Sequence, residues 1–565
     1  MVRFSLCVLL GALAACGGSD VITCATGADC LQGGIAGQCL DSPASSNKWC
    51  AFSDPDCPGT LLRWGRLSGD DLGSQCVAGA STVALTVSAS GAGTGRITSD
   101  PAGIDCPGTC SAEFAAGSEV KLSATADSGS YFDGWGAPCS GLECAVELSA
   151  ATTVEATFLV SGSTRSAAAF DHFLPQLIAA DGSIVGYVPR SATVIEVQRR
   201  SASQTLWSTK ITAEGDSDDI VGMAFLSNGD VIVAAGGASG IDGMPITFPD
   251  AALVARLDAS NGAAQWVVGF PQEDTFIGKR LAVDATGNIY FTGTYRGVTT
   301  IGGFQLNAGS SSDRNVFVAK LNATGQFVWA VGLGGGAADI ARSLAVGKDG
   351  LPVVLAQSSG GTIFGGGTIG GFGGDDCVVA KLAATDGAPL FAQAIGSTGT
   401  DQCFTIGASG SSSDFAIALD AGGPIKVGMN NFPGPGMSVL IASASGANLR
   451  AFSSPAATVT SRALSFGVDD TVWLTGSYTG AVSVGGAQLP APSGNTLGFV
   501  ARYSKTAEHL YSTSIGGVAG AFGDAIIVGD RSITAVGIFQ GLADFGGQTL
   551  TAGARGSGYA WELVP

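Results

Sequence analysis

The chain has 565 residues, of which 27 are Lys or Arg and 46 are Asp or Glu, so its formal net charge is −19 at pH 7. This excess of negative charge excludes nucleic acid as a partner and disfavours anionic membrane surfaces. The two histidines, His172 and His509, leave little room for His-based catalysis, and the 87 glycines are spread through turn sequences, which excludes a collagen-like or disordered chain.

The N-terminus has the sequence of an export signal. An early Arg is followed by an apolar run that is too short to span a membrane as a mature helix. The run ends in Leu13-Ala14-Ala15-Cys16, which resembles the bacterial lipobox. The resemblance implies a lipoprotein signal peptide over 1–15, a lipid on Cys16 and a lipid-anchored tether over 16–21. The protein would then be held on a membrane of the bacterial cell envelope, at the outer membrane or cell surface. The alternative is an ordinary signal peptide cut after a small residue.

The cysteines beyond this segment fall into even-numbered local sets. Six lie between Cys24 and Cys76, four between Cys106 and Cys144, and two in the last third of the chain. Dense, even-numbered Cys predicts disulfides formed in an oxidising compartment. We therefore predict a disulfide-rich module over 22–78, in which the pairing stays open.

Residues 83–158 form a second small module. Gly95-Arg96-Ile97-Thr98-Ser99-Asp100-Pro101 and Tyr131-Phe132-Asp133-Gly134-Trp135 resemble the internalin B-repeat, which implies a small extracellular β-fold. Trp135 is more typical of a core anchor than of a ligand-stacking aromatic. The four cysteines of this module are candidate disulfide partners, with zinc ligation as the alternative, at Cys106, Cys110, Cys139 and Cys144.

A five-residue β-pattern returns seven times in the rest of the chain, at intervals of 59 to 64 residues. Each copy is accompanied by hairpin and turn sequences that complete four strands, and in six copies an aromatic residue follows after 12 or 13 positions. Units of this size, in series, predict an all-β fold with a seven-bladed, four-stranded β-propeller over 164–565. The copies begin at Val194, Leu253, Phe317, Val378, Val439, Phe499 and Tyr559.

The seventh unit lacks its last strand, because the aromatic position would fall beyond Pro565. A free blade edge would pair with other chains, so a segment before the first blade is expected to complete the ring. We predict Thr164 to Phe170 for this role, although its Ala-rich sequence is a poor strand former, with Thr157 to Val160 as the alternative.

The repeat also resembles the bacterial β-propeller proteins known as SBBP-repeat proteins. Leu281 to Tyr295 (LAVDATGNIYFTGTY) and Val316 to Gly335 (VFVAKLNATGQFVWAVGLGG) carry the resemblance. It implies a propeller on an exported bacterial protein and brings no catalytic residues. The copy over 404–456 departs from the pattern.

Two features of the propeller are candidates for function or stability. Cys377 and Cys403 are placed at the start of a third strand and the end of a fourth, where a disulfide could connect adjacent blades. An aspartate recurs in the loops before the innermost strands. These carboxylates predict a ring that binds Ca²⁺ or a cationic ligand, unless each accepts hydrogen bonds in its own turn. They are Asp219, Asp274, Asp339, Asp401 and Asp524.

The chain contains no nucleophile elbow, phosphate-binding loop or zinc-protease spacing. We therefore predict a non-catalytic envelope lipoprotein whose propeller binds a protein or glycan, with no resident metal or cofactor except for the Ca²⁺ considered above. The alternatives are a carboxylate-dependent carbohydrate-active enzyme and a structural subunit of an envelope complex.

Overall fold

The computed structural model describes residues 23–565 except 58–61, 79–81, 180, 192, 202–203, 214–219, 247–250, 272–280, 336–337, 361, 365–366, 456–458, 493–494, 518–519, 530 and 555. The predicted signal peptide, tether and Cys16 lie outside this part of the chain. Its regular structure is β-strand throughout, apart from one 3-10 helix at Gly27–Asp29, as the all-β prediction expects. Among these residues no helix has the length and apolar character needed to cross a bilayer.

The first module is held together by three disulfides around a small core. The pairs left open by the sequence are Cys24–Cys39, Cys30–Cys50 and Cys57–Cys76. Two buried tryptophans, Trp49 and Trp64, pack against Ala51 and Val77. So few apolar residues make a weak core, and the disulfides supply the missing stability. The strands are Leu31–Gln32, Ile35–Ala36, Gln38–Asp41, Lys48–Ser53 and Leu62–Trp64.

The second module consists of two four-stranded sheets. Alternating buried residues such as Val120 and Leu122 form its core, and Trp135 is buried with its indole N–H donated to the Leu142 carbonyl at 3.3 Å. One sheet contains Gly95–Asp100, Asp105–Cys106, Glu119–Ala126 and Cys144–Glu147. The other contains Thr82–Ser90, Ser111–Ala115, Ser130–Trp135 and Thr152–Val160.

Seven antiparallel meanders of four strands follow in the described residues, and each copy of the five-residue pattern begins in a third strand. We number the meanders 1 to 7 and call their strands inner, second, third and outer. Meander 1 has Leu174–Ile178, Ile184–Ser191, Val194–Arg200 and Thr205–Ala213; meander 2 has Ile220–Phe225, Val231–Ile241, Ala251–Leu257 and Ala264–Pro271; meander 3 has Leu281–Val283, Ile289–Arg296, Arg314–Leu321 and Phe327–Leu333. Meander 4 has Asp339–Val346, Pro352–Ser358, Asp376–Leu382 and Pro389–Gly396; meander 5 has Gln402–Ala408, Phe415–Ala421, Gly436–Ala442 and Arg450–Ser454; meander 6 has Val459–Phe466, Val472–Tyr478, Leu497–Tyr503 and His509–Gly517. Meander 7 has Ala521–Val528, Ile533–Phe539, Ser557–Leu563 and, from the other end of the domain, Thr164–Asp171.

Short strands also occur in the connections between second and third strands. They form hairpins or pair with a neighbouring strand of the meanders. Their bounds are Met244–Pro245, Val298–Ile301, Phe304–Asn307, Thr362–Phe364, Gly367–Ile369, Ile425–Val427, Asn430–Phe432, Leu542–Phe545 and Gln548–Thr551.

The outer strand of meander 7 comes from the segment that strand counting indicated. Thr164–Asp171 runs antiparallel to Ser557–Leu563, with Thr164 opposite Leu563 and Asp171 opposite Ser557. The alternative segment, Thr157 to Val160, is instead the end of the strand Thr152–Val160 in the preceding module. Backbone pairing outweighs the poor strand propensity of the alanines, because β-propensity depends on context.

Side chains of the repeat explain why its sequence recurs. In meander 3, the Lys320 ammonium and the Trp329 indole N–H both donate to the Ala384 carbonyl in a turn of meander 4, at 2.8 and 3.1 Å. The ring of Trp329 lies against Gly387, where a Cβ atom would come within 2.8 Å of it and where φ is +74°. The basic residue, the aromatic and the glycine therefore form one contact between neighbouring meanders. Equivalent pairs are Arg199 and Trp207 on Ala259, and Arg256 and Trp266 on Ala323.

Meander 5, where the sequence departs from the pattern, lacks part of this contact. Ile441 stands where meanders 3 and 4 have Lys320 and Lys381, because each of these three residues is paired with the second residue of its second strand. Phe452 occupies the aromatic position and packs on the ring of Tyr503, with 5.1 Å between ring centroids. An aromatic pair replaces the hydrogen bonds to the next turn.

Candidate functional site

The inner strands of the seven meanders surround one central cavity of about 590 Å³. Every inner strand contributes at least one described residue to its lining. This volume falls within the usual range for small-molecule sites. The lining includes Leu174, Gln176, Val221, Met223, Leu281, Arg342, Phe404, Thr460, Ser461, Arg462, Phe522 and Asp524.

A register shift directs one side chain from each of six inner strands into this cavity. In each of these six meanders, one residue of the inner strand has no partner in the second strand. In meander 4 this residue is Arg342, between Ala341 and Ser343. Such a bulge re-aims the side chain of the extra residue. In meander 3 the described inner strand begins at Leu281. The six bulge residues, all in the lining, are Gln176, Val221, Arg342, Phe404, Arg462 and Asp524.

Arg342 is held in place by polar neighbours of its own meander. Its Nη2 donates to Gln357 Oε1 at 2.7 Å, and Gln357 Nε2 donates to Asp375 Oδ2 at 2.9 Å. Burial lowers the pKa of Arg342, and the Asp375 carboxylate opposes that shift. Its Nε is buried without a hydrogen-bond partner among the described residues. The guanidinium is charged at any physiological pH and retains donor capacity.

Arg462 and Asp524 form an ion pair between meanders 6 and 7. Arg462 Nη1 lies 3.1 Å from Asp524 Oδ1, and the guanidinium carbon lies 5.6 Å from the centroid of the Phe522 ring. Burial raises the pKa of Asp524, and Arg462 acts in the opposite direction. Beside this pair, the hydroxyl of Ser461 is buried without a partner in the described structure. Arg342, Arg462 and Asp524 are the charged side chains in the described lining.

The predicted ring of carboxylates has a different arrangement. Asp219 and Asp274 lie outside the described residues. Asp339 begins an inner strand and Asp401 directly precedes one, and neither lines the cavity. Asp524 was predicted to precede its strand, but it is the fourth residue of Ala521–Val528. That prediction was wrong because a bulge inside the strand, and not the preceding loop, sets the position of Asp524.

Asp339 and Asp401 accept hydrogen bonds from their own turns. Gly335 N donates to Asp339 Oδ2 at 3.1 Å, and Ser397 N donates to Asp401 Oδ2 at 2.5 Å. Burial raises the pKa of Asp339. In both bonds the donor lies four residues before the aspartate. This is the alternative given by the sequence, in which each aspartate accepts hydrogen bonds in its own turn. Ca²⁺ binding at these positions stays a prediction, which calorimetry with the wild-type chain and Asp339→Asn can test.

A second carboxylate that the sequence analysis did not single out lies next to Asp401. Asp376 begins the third strand of meander 4, is buried, and accepts a hydrogen bond from Phe372 N at 2.6 Å. Burial, together with the neighbouring Asp401 carboxyl, raises the pKa of Asp376 to about 6. An aspartate directly before the Cys of a third strand was the available signal.

Cys377 and Cys403 form a disulfide with 5.6 Å between Cα atoms. The sequence placed Cys403 at the end of an outer strand, whereas the structure places it on the inner strand of meander 5. The bond still connects adjacent meanders. The structure also pairs Cys106 with Cys110 and Cys139 with Cys144. The sulfurs of Cys24, Cys30 and Cys50 lie within 4.8 Å of one another, but disulfides occupy them.

Comparison with known proteins gives likenesses of fold and one family match. No curated protein matches the chain. Solved structures similar to it include the Dos1 propeller (10% identity, 79% of this chain and 89% of that one, TM-score 0.35) and an ulvan lyase from a new family of polysaccharide lyases (11% identity, 67% and 93%, TM-score 0.37). A quinohemoprotein alcohol dehydrogenase from Comamonas testosteroni is also similar (10% identity, 71% and 76%, TM-score 0.30). At this level of similarity they carry no inference about activity. Residues 85–162 match the family described as the divergent InlB B-repeat domain, in agreement with the resemblance of the second module.

Proposed function

We propose that this chain is a non-catalytic lipoprotein of the bacterial cell envelope, in which a closed seven-bladed β-propeller of SBBP-repeat type binds a protein or glycan. The observation that carries this proposal is the central cavity. Inner strands of all seven meanders converge on it, and bulges in six of them present side chains of different chemistry. A repeat that is uniform in its framework and variable at its centre is suited to recognition.

The charges in the cavity favour binding over carboxylate-dependent catalysis. Glycosidases of the common type need two carboxyl groups at a defined separation across the scissile bond. In the described lining, Asp524 is the single carboxylate, and it is paired with Arg462. A lone, ion-paired carboxylate does not make a general acid and base.

Two features support the envelope location. Six disulfides are present in the described residues, which suits an oxidising compartment. The sequence Leu13-Ala14-Ala15-Cys16 supplies the site for a lipid. Replacing Cys16 by Ser is expected to move the protein out of the membrane fraction as a soluble or unprocessed form. Unchanged membrane partition would contradict the anchor.

A glycan and protein array probed with the full chain carrying Cys16→Ser tests the binding function. We expect one ligand class to be retained, and retention to be lost on Phe404→Ala, because Phe404 lines the cavity. The matched control is Leu390→Ala on the exposed surface of meander 4, where the side chain is 56% exposed. Absence of any retained ligand, or a ligand indifferent to Phe404→Ala, would contradict the proposal. Shortened glycan products would favour the enzyme alternative.

A further inference from the structure

We infer that the ligand of the central cavity is a carboxylate-bearing sugar, with its carboxylate bound by Arg342 and its ring placed against Phe404 and Phe522. The inference rests on the proposed binding function and adds the chemical class of the ligand.

The charge balance of the cavity is the first argument. The chain carries a net charge of −19, yet the described lining has two arginines and one aspartate. Asp524 is already engaged by Arg462 at 3.1 Å. Arg342 has an amide, not a carboxylate, as its direct partner. One cation in the cavity therefore lacks an anion in contact with it.

The geometry of Arg342 is the second argument. Gln357 accepts from Arg342 Nη2 and is itself held by Asp375, so the guanidinium is fixed from one side. A guanidinium held in one orientation offers a planar pair of N–H donors that matches a carboxylate, and little side-chain entropy is lost on binding. The carboxylate of Asp524 in the same cavity disfavours a doubly charged phosphate group.

The remaining lining is suited to a sugar ring. Phe404 and Phe522 are half-buried and line the cavity from the inner strands of meanders 5 and 7. Aromatic faces pack against the C–H faces of a sugar, and its hydroxyls need polar partners nearby. Thr460 is an exposed hydroxyl residue of the lining, and Gln176 offers an amide. A cavity of about 590 Å³ holds one or two rings.

Isothermal titration calorimetry with the full Cys16→Ser chain tests the inference, using glucuronate and galacturonate, the neutral sugars glucose and galactose, and glutamate as a carboxylate without a ring. We expect a uronate to bind, the neutral sugars not to bind, and glutamate to bind more weakly. Arg342→Gln should weaken uronate binding by roughly 10- to 100-fold, the range for loss of a charged hydrogen bond. Arg450→Gln, on an exposed outer-strand arginine, should leave the affinity unchanged.

Arg342→Lys keeps the charge and removes the planar fork, so it should weaken binding less than Arg342→Gln. It also provides a test if Arg342→Gln does not fold, as judged by its melting curve. Equal binding of glucose and glucuronate would overturn the role of the carboxylate, and tighter binding of glutamate would overturn the sugar. An array ligand that depends on Phe404 but not on Arg342 would overturn the inference and leave the binding function standing. An array without any ligand would overturn both.

Discussion

At the scale of single residues, the clearest departure from ordinary behaviour is the carboxyl group of Asp376. It is buried beside Asp401, which already accepts hydrogen bonds from Ser397 N and Gly422 N. Two adjacent carboxylates cannot both be ionised without a large energetic cost. Since burial and the neighbouring carboxyl raise the pKa of Asp376 to about 6, this residue holds a proton under mildly acidic conditions.

The raised pKa of Asp376 predicts a loss of stability as the pH rises. In the folded protein the pKa of Asp376 is about 6, whereas the ordinary pKa of an aspartate is 3.8. The contribution of this bound proton to the stability of the fold is therefore fully present below pH 3.8 and is lost as the pH rises through about 6. Asp376→Asn removes the charge, so we expect it to melt at a higher temperature than the wild type at pH 7.5 and to show a smaller difference at pH 4.

Thermal melts between these pH values measure the effect. At pH 7.5 the free energy of unfolding of Asp376→Asn should exceed that of the wild type by on the order of 1–3 kcal/mol. Glu508→Gln, at an exposed position in a turn, is the control for removal of a carboxylate. A constant difference between Asp376→Asn and wild type across the whole range would show that this proton does not affect folding.

At the scale of elements, the stability of the domain depends on contacts between neighbouring meanders. The outer-strand aromatic and the third-strand basic residue both reach the next turn, as Trp329 and Lys320 do at Ala384. Trp329 is 3% exposed, while Val328, beside it on the same strand, is 40% exposed. The two faces of this strand therefore have different roles, one in packing between meanders and one in solvent.

Trp329→Ala is expected to lower the free energy of unfolding by about 3–5 kcal/mol, because it removes a large buried side chain and leaves a cavity. Chemical denaturation measures this loss. Val328→Ala should stay within about 0.5 kcal/mol of wild type, since it changes an exposed position. Similar losses for both variants would contradict the role assigned to the repeated aromatic.

The disulfide between meanders 4 and 5 makes a separable contribution. Cys377 and Cys403 are 26 residues apart in sequence, and closing a loop of this length stabilises by about 3 kcal/mol in the chain-entropy description. Replacing both cysteines by Ala should lower the free energy of unfolding of the propeller by about that amount. The same change at Cys139 and Cys144, which are 5 residues apart in the second module, is the control. A propeller equally sensitive to both double variants would contradict a local effect.

At the scale of the whole molecule, the framework was predictable from the sequence and the centre was not. The period of the repeat located the third strands from Val194 to Tyr559, and counting strands identified Thr164 to Phe170 as the closing segment. The positions of the third strands and of the closing segment both follow from backbone pairing, because pairing imposes a regular spacing on the strands. Arg342, Phe404 and Arg462 were missed because a bulge shifts the register by one residue without a strong sequence signal. The available hint was a large residue between two small ones, as in Ala341-Arg342-Ser343.

The closing strand provides the test of the ring as a cooperative unit. Replacing residues 161–171 by a Gly-Ser linker of the same length keeps the chain connected but removes the partner of Ser557–Leu563. We expect the propeller to melt at a lower temperature in a single transition, because the loss exposes the edge of meander 7 and opens its packing against meander 1. Thr164 adds to this contact, since it donates to the Phe545 carbonyl at 2.9 Å and accepts from the Trp561 indole at 3.0 Å.

Complementation separates loss of the closing strand from general damage by the linker. A synthetic peptide covering residues 161–173, added to the linker variant, should raise its melting temperature toward that of the parent, because the peptide can pair with Ser557–Leu563. Binding that stabilises the folded state raises the melting temperature with peptide concentration. A scrambled peptide of the same composition should have no effect. A linker variant that melts like the parent would exclude this segment as the strand that closes the ring, and a melting temperature raised equally by both peptides would exclude specific pairing.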